Sequence, residues 1–563
     1  MTPPTSVAST RPEVVTEGLP ARRPAWVERA TSADHKSVGM LYVGASLSFL
    51  ALSTVELALI RLQLIVPENT TIRPEIFDRI LSTFGITAVV LFAIPLALGL
   101  IGFVTPLQIG SRGVAFPRLN LLSFWLYLAG AVTVYASYIY RPTEAGLAIL
   151  GFVCFAVNLV ATLHGMRAPG MAWRRVPILS WAAALSGYLL LVIGPAMLAA
   201  LTMLFIDRHF GGAFFDSGEG GAPLLYEHLA WLFFTGAYVL IVIVAGGVIS
   251  DVLPTFARKP LFSHRGAMVS LLAVAVLGPL AWMQNMYTAP IPLGFEIFAM
   301  LFALALAVPI GLLIFNWVAT LWDGALRLRA APAFALGAIG AMTTGLAGEL
   351  VYSVLPVGWQ LDDTAAAQGA TFSVLAGGAV LGGFGGLHYW FPKLTGRMMG
   401  EAAGKASLVL TLAGIYVYGL FTFFAGVKGQ PADIYKFYEG YGLDGFNLVA
   451  SVSAFVFVAG VLLELVNAAY SYGHGVRAGH DPWGGATLEW FALSPPPEHN
   501  FDVVPDVRSA EPLYDIRRAV RERTEPWRPP IRERVPEPAR EGEPVEASAG
   551  DSGGESRAGG SVA

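Results

Sequence analysis

The chain has 563 residues and a formal net charge of −4, which gives no sign of a nucleic-acid partner. Apolar residues make up 55% of the sequence and charged residues only 13%, whereas roughly a quarter of the residues in soluble globular domains are charged. This composition excludes an ordinary soluble protein and favours a protein embedded in a membrane.

Apolar windows of about 20 residues, the length that a helix needs to cross a bilayer, recur along the chain. Alternating β patterns are absent, so helices are the only spanning structure whose backbone can be satisfied in lipid. We therefore predict an all-α, polytopic membrane protein with about twelve transmembrane helices. The predicted windows are 38–60, 79–104, 119–141, 146–164, 178–206, 225–250, 266–288, 294–322, 332–355, 367–393, 405–427 and 445–473.

Basic residues are concentrated in alternate loops of this arrangement. The rich loops carry Arg112, Arg118, Arg167, Arg174, Arg175, Arg258, Lys259, Arg265, Arg327, Arg329, Lys393, Arg397 and Lys405. The opposite loops carry mainly Arg61, Arg73, Arg141, Arg208, Lys428 and Lys436. Because basic loops stay on the cytoplasmic side, both termini are predicted to be cytoplasmic, in a bacterial-type inner membrane.

Polar side chains inside apolar windows are candidates for function, because burying them in lipid is costly. Gln284 and Asn285 are adjacent amides within AWMQNMYT, and Glu349 and Glu464 lie deep in their windows. These acids could pair with the amides, bind a partner subunit or relay a proton. The simplest alternative is hydrogen bonding between neighbouring helices.

Several stretches resemble subunit I of the heme–copper terminal oxidases, the family that includes cytochrome c oxidase, in the family's order and spacing. They include PLQIGSRGVAFPRLNLLSFWLY (106–127), GGAPLLYEHLAWLFF (220–234), GGLHYWFPKLTGRM (385–398) and DPWGGATLEWFALSPPPEHNF (481–501). The resemblance runs from about residue 34 to 516. It implies a membrane domain over 34–480 and a cytoplasmic C-terminal segment over 481–516. Flanking these are a flexible arm, 1–33, and a disordered tail rich in Arg, Pro, Glu and Gly, 517–563.

The resemblance also implies two hemes and one copper, held by six histidines. Imidazole suits this chemistry because it is a neutral ligand for both iron and copper. In this chain the heme-ligand positions are Phe84, Ala370 and Phe372, and the copper-ligand positions are Thr235, Gln284 and Asn285. All six histidines are replaced, so no heme or copper is predicted. We expect Phe84 and Phe372 to fill the vacated volume and so close the cavity.

Other family positions have changed as well. Two arginines that would clamp heme propionates are replaced by Ala432 and Asp433, and a carboxylate would repel a propionate. The proton-channel positions correspond to Gly113, Gly102 and Leu313. Asp362 and Asp363 fall where the family binds magnesium or manganese, and they could form a weak divalent-ion site or an ordinary wet loop.

Three functions remain open from the sequence. The first is a heme-free structural or assembly subunit of a respiratory complex, with lipids and other membrane subunits as partners, such as a catalytic subunit I or a subunit III-like protein. The second is a divergent terminal oxidase that reduces oxygen with non-standard heme ligands. The third is a membrane carrier or channel that uses the vacated cavity.

Overall fold

The structure, a computed structural model, describes residues 25–136 and 146–524. Within these ranges the chain is helical, with no strand, and twelve helices are long and apolar enough to cross a membrane. This confirms the predicted fold class and the number of spans. The expectations for the N-terminal arm before residue 25, the end of the third window and the tail beyond residue 524 lie outside the described residues.

The twelve spans are numbered α1 to α12. They are α1 (His35–Gln63), α2 (Pro74–Gln108), α3 (Pro117–Ala136), α4 (Gly146–Gly165), α5 (Ile178–Phe210), α6 (Pro223–Ala257), α7 (His264–Met286), α8 (Leu293–Leu321), α9 (Ala330–Ser353), α10 (Ala365–Thr395), α11 (Glu401–Val427) and α12 (Asp444–His474). Shorter helices lie outside the spans at Ala25–Thr31, Leu355–Leu361 and Pro512–Thr524, with 3-10 turns at Trp173–Arg175, Ser217–Glu219 and Leu488–Phe491.

Four spans are interrupted along their length. In α7 the α-helix ends at Leu280 and a 3-10 turn, Trp282–Met286, completes the span, and α8 is interrupted at Leu306. Two others contain π-helical segments, Thr87–Ala93 in α2 and Ala376–Gly382 in α10. Such segments widen a helix locally and are frequent at functional sites. Both border a cavity of about 860 Å³.

Residues after α12 pack on the end of the bundle where α1 begins, here called the proximal end; the distal end is where α1 ends at Gln63. Lys36 Nζ donates to Asn500 Oδ1 at 3.0 Å, and Lys393 Nζ donates to the Ala492 carbonyl at 2.6 Å. Glu489 is fully buried there and accepts a hydrogen bond from Gln108, and this burial raises the pKa of its carboxyl. The segment after α12 is thus part of the folded unit.

Candidate functional site

A cavity of about 860 Å³ lies among α1, α2, α6 and α10, with Tyr418 of α11 also on its wall, and reaches the distal loops. Along α1 its wall extends from Leu50 to Leu64, a distance of roughly 20 Å at the helical rise. Its deep wall is apolar and includes Phe92, Leu375 and Val380. The cavity is therefore long, apolar at its inner end and open towards the distal face.

Phe84 and Phe372 line this cavity from α2 and α10. The expectation that their rings fill the vacated volume is wrong, because a large space remains between the helices. Phe372 is held against other aromatic rings, with its centroid 4.4 Å from that of Tyr418 and 5.3 Å from that of Phe457. The ring therefore packs into the wall, and the π segments of α2 and α10 border the empty space.

Ala370, the third predicted heme-ligand position, packs between helices. It is 4% exposed, and a Cβ built on Gly348 of α9 would lie 2.9 Å from the Ala370 Cβ. The backbones of α9 and α10 approach closely here because both residues are small. A methyl group at this place contributes packing and has no ligand atom to offer.

The three predicted copper-ligand positions come together on the wall of a second cavity, of about 260 Å³. Asn285 Nδ2 donates to Thr235 Oγ1 at 3.2 Å, and Gln284 Nε2 donates to the Glu349 carbonyl at 3.5 Å. Asn285 also lines the larger cavity. Both amides thus donate hydrogen bonds to neighbouring helices, and Asn285 is one of the residues shared by the walls of the two cavities.

The two deep glutamates have different surroundings. Glu349 lines the second cavity and accepts hydrogen bonds from Thr371 Oγ1, at 2.8 Å, and from the Tyr352 hydroxyl. Glu464 is 1% exposed and lies 2.8 Å from His388 Nε2. Glu349 therefore belongs to the candidate site, whereas Glu464 forms a separate buried pair; a pairing of Glu464 with Gln284 or Asn285 is wrong.

Acidic residues surround the distal mouth of the larger cavity. Thr288 donates to both aspartates of the predicted ion site, from its backbone N–H to Asp362 Oδ2 at 3.2 Å and from its hydroxyl to Asp363 Oδ2 at 2.6 Å. Gln368 Nε2 donates to Asp433 Oδ1 at 2.6 Å. Burial and the neighbouring Asp363 raise the pKa of Asp362 to about 6, and burial raises that of Asp433. Ala432 also lines the mouth.

A buried arginine that the sequence predicts to be a loop residue lines the same cavity. Arg61 lies inside α1 and is 4% exposed. Its guanidinium donates to the Tyr418 hydroxyl at 3.0 Å and to Thr422 Oγ1 at 3.2 Å, and it lies 4.6 Å from the centroid of the Tyr418 ring. The signal in the sequence is an arginine directly after the apolar window 38–60 that is itself followed by further apolar residues, Leu62, Leu64, Ile65 and Val66.

A bundle of twelve spans with a deep cavity between α2 and α10 defines a polytopic α-helical membrane protein. Residues 37–456 match the family described as cytochrome c and quinol oxidase polypeptide I. The chain therefore belongs to this family.

Comparison with individual relatives supports this family assignment. The chain is 34% identical over 511 residues to cytochrome c oxidase subunit 1 of Bacillus subtilis, covering 86% of this chain and 82% of that protein. It is 32% identical over 519 residues to the Thermostichus vulcanus subunit 1, covering 88% and 94%. A heme–copper terminal oxidase dimer solved by cryo-electron microscopy has the same fold, with a TM-score of 0.68, 14% identity and coverage of 84% and 88%.

The side chains that line the two cavities do not fit the hemes and copper of the family. Among the described lining residues there is no histidine, cysteine or methionine, the donors that ligate redox copper and, tyrosine apart, heme iron. Elsewhere in residues 25–136 and 146–524, no three His, Cys, Asp or Glu side chains are grouped so as to hold a metal. Hydroxyl and amide oxygens remain, and they are poor ligands for redox copper.

Proposed function

We propose that this chain is a heme-free member of its family that serves as a structural or assembly subunit of a respiratory membrane complex. The observation that carries the proposal is the donor set of the two cavities. Phenyl groups at 84 and 372, and hydroxyl and amide groups at 235, 284 and 285, stand where imidazoles would hold iron and copper. A chain that keeps the family fold but lacks these ligands is better suited to a structural or assembly role than to oxidase catalysis, because fold alone does not specify activity.

A tyrosine-ligated heme would be the nearest way to keep an oxidase, since tyrosine ligates heme iron in some enzymes. Tyr226, Tyr238 and Tyr418 line the larger cavity. The Tyr418 hydroxyl already accepts two hydrogen bonds from the Arg61 guanidinium. A single phenolate would also lack the paired axial ligands of a low-spin electron-carrying heme. The divergent oxidase is therefore the weaker proposal.

The intact fold of the segment after α12 supports a structural role. The segment after α12 keeps its family-like sequence and is fixed on the proximal end by buried polar contacts, including that of Gln108 with Glu489. The proposed partners are other membrane subunits, namely a catalytic subunit I or a subunit III-like protein. The proposed location is a bacterial cytoplasmic membrane, with both termini in the cytoplasm.

Purification of the tagged chain from its own membranes in a mild detergent tests this function. We expect a second membrane subunit of an oxidase to co-purify in a fixed ratio, and we expect deletion of the chain to lower the heme content of the membranes. A tagged transporter of similar size, expressed in the same cells, is the control. A chain that purifies alone and consumes oxygen would contradict the proposal.

A further inference from the structure

The larger cavity has three zones along its axis. The first is the apolar interior, which extends along α1 down to Leu50 and along α10 to Val380. The second zone is the Arg61 guanidinium. It contacts Tyr418 and Thr422, which lie nine and five residues before the end of α11 at Val427, or roughly 13 and 8 Å below that end. The positive charge therefore lies inside the span, between the apolar interior and the distal loops.

The third zone is acidic and lies at the mouth. All five acidic lining residues are in distal loops or in the first two turns of helices that start there: Asp78, Glu227, Asp362, Asp363 and Asp433. In the described part of the chain, no ion pair joins Asp362, Asp363 or Asp433 to a basic side chain. These carboxylates thus present uncompensated negative charge to whatever occupies the mouth.

The buried Arg61 guanidinium, in contrast, has no anionic hydrogen-bond partner among the described residues. Its hydrogen-bond partners among the described residues are neutral, namely the Tyr418 and Thr422 hydroxyls and the Asn447 amide. A buried guanidinium is most stable beside an anion, and its planar set of donors matches a phosphate group. Part of its solvation therefore has to come from the cavity side.

We propose that the cavity binds one zwitterionic phospholipid of the phosphoethanolamine class. Its acyl chain occupies the apolar interior, its phosphate contacts Arg61 and its ammonium group lies among Asp362, Asp363 and Asp433. The order of the zones, apolar, cationic and then acidic, is the order of acyl chain, phosphate and ammonium in such a lipid. The assignment goes beyond the proposed function but rests on it, because a porphyrin in the cavity would exclude the lipid.

Native mass spectrometry of the full-length chain tests the assignment. The protein is delipidated in detergent and titrated with phosphatidylethanolamine, phosphatidylglycerol, phosphatidylcholine or free phosphoethanolamine. We expect phosphatidylethanolamine to bind most tightly at a stoichiometry of one. Phosphatidylglycerol lacks the cation and is repelled by the acidic mouth, whereas choline cannot donate hydrogen bonds to carboxylates. The free head group lacks the chain and should not bind measurably.

Variants separate the two charged zones. Arg61→Gln is expected to weaken phosphatidylethanolamine binding about tenfold or more, since one charge-assisted contact to phosphate is lost. Arg73→Gln removes an exposed distal arginine outside the cavity and is the matched control. The triple variant Asp362→Asn, Asp363→Asn, Asp433→Asn is expected to abolish the preference over phosphatidylglycerol while keeping lipid binding.

Each remaining outcome has a distinct meaning. Equal binding of phosphatidylglycerol and phosphatidylethanolamine by the unaltered chain would overturn the head-group assignment. Equal effects of Arg61→Gln and Arg73→Gln would overturn the site, and the triple variant keeps the site testable if Arg61→Gln fails to fold. If the mass of the purified chain includes a heme, the proposed function itself is contradicted. If the chain carries no heme and binds none of the four ligands, only the lipid assignment is contradicted.

Discussion

The double substitution Phe84→His with Phe372→His is expected to give the chain a low-spin heme that, according to the proposed function, the unaltered chain lacks. The two side chains line the same 860 Å³ cavity from α2 and α10, and the family resemblance places both axial ligands there. Two imidazoles would supply the donors that iron requires. Ala432→Arg and Asp433→Arg should be added, because a carboxylate at the mouth would repel the propionates. Reduced-minus-oxidised absorption spectra of the purified quadruple variant measure the gain, which we expect to approach one heme per chain.

The control for this experiment is Phe84→Leu with Phe372→Leu and the same two arginines. It enlarges the cavity and changes the mouth in the same way but supplies no nitrogen ligand. Each single histidine variant should bind heme weakly, since one axial ligand is missing. If the folded quadruple variant shows no heme spectrum, the cavity has lost the shape of the cofactor as well as its ligands.

Replacing Gly426 with alanine is expected to destabilise the bundle strongly. A Cβ at Gly426 of α11 would meet the Ala366 backbone nitrogen, with the Ala365 carbonyl carbon and the Ala366 Cα both 2.7 Å away. These are backbone atoms at the start of α10, so the two helices must separate. Small residues allow such close approach in membrane bundles, and overpacking of this kind costs about 1–3 kcal/mol or more. The midpoint of thermal unfolding in detergent should fall clearly.

Gly85→Ala is the matched control for this variant. Gly85 is also a helical glycine beside the larger cavity, but a Cβ there would meet nothing within 4 Å. Alanine favours a helix over glycine by up to about 1 kcal/mol, so this change should be neutral or slightly stabilising. Equal unfolding midpoints for Gly426→Ala and the unaltered chain would contradict the close approach of α10 and α11 at this glycine.

The helical architecture is predictable from this sequence because membrane spans are governed by apolar length. The windows 38–60 and 445–473, for example, fall within α1 and α12. The grouping of Thr235, Gln284 and Asn285 on one cavity wall also follows, because the resemblance fixes their register. These predictions depend on local composition and on motif order, both of which can be read directly from the chain.

Other features depend on the distances between packed helices, which cannot be read from the sequence. The cavity beside Phe84 and Phe372 persists because Phe372 packs on Tyr418 and Phe457 in place of the empty centre. The sequence predicts Arg61 to be a loop residue, whereas in the structure α1 extends to Gln63 and includes it. The partner of Glu464 is His388 of α10, a choice that only three-dimensional packing reveals.

The most direct measurement is the visible absorption spectrum of the chain purified from its native membranes, together with iron and copper analysis of the same sample. We predict no Soret band and no reduced alpha band attributable to the chain, with iron and copper far below one atom per chain. Stoichiometric heme bands that remain with the isolated chain after its partners are removed would contradict the account.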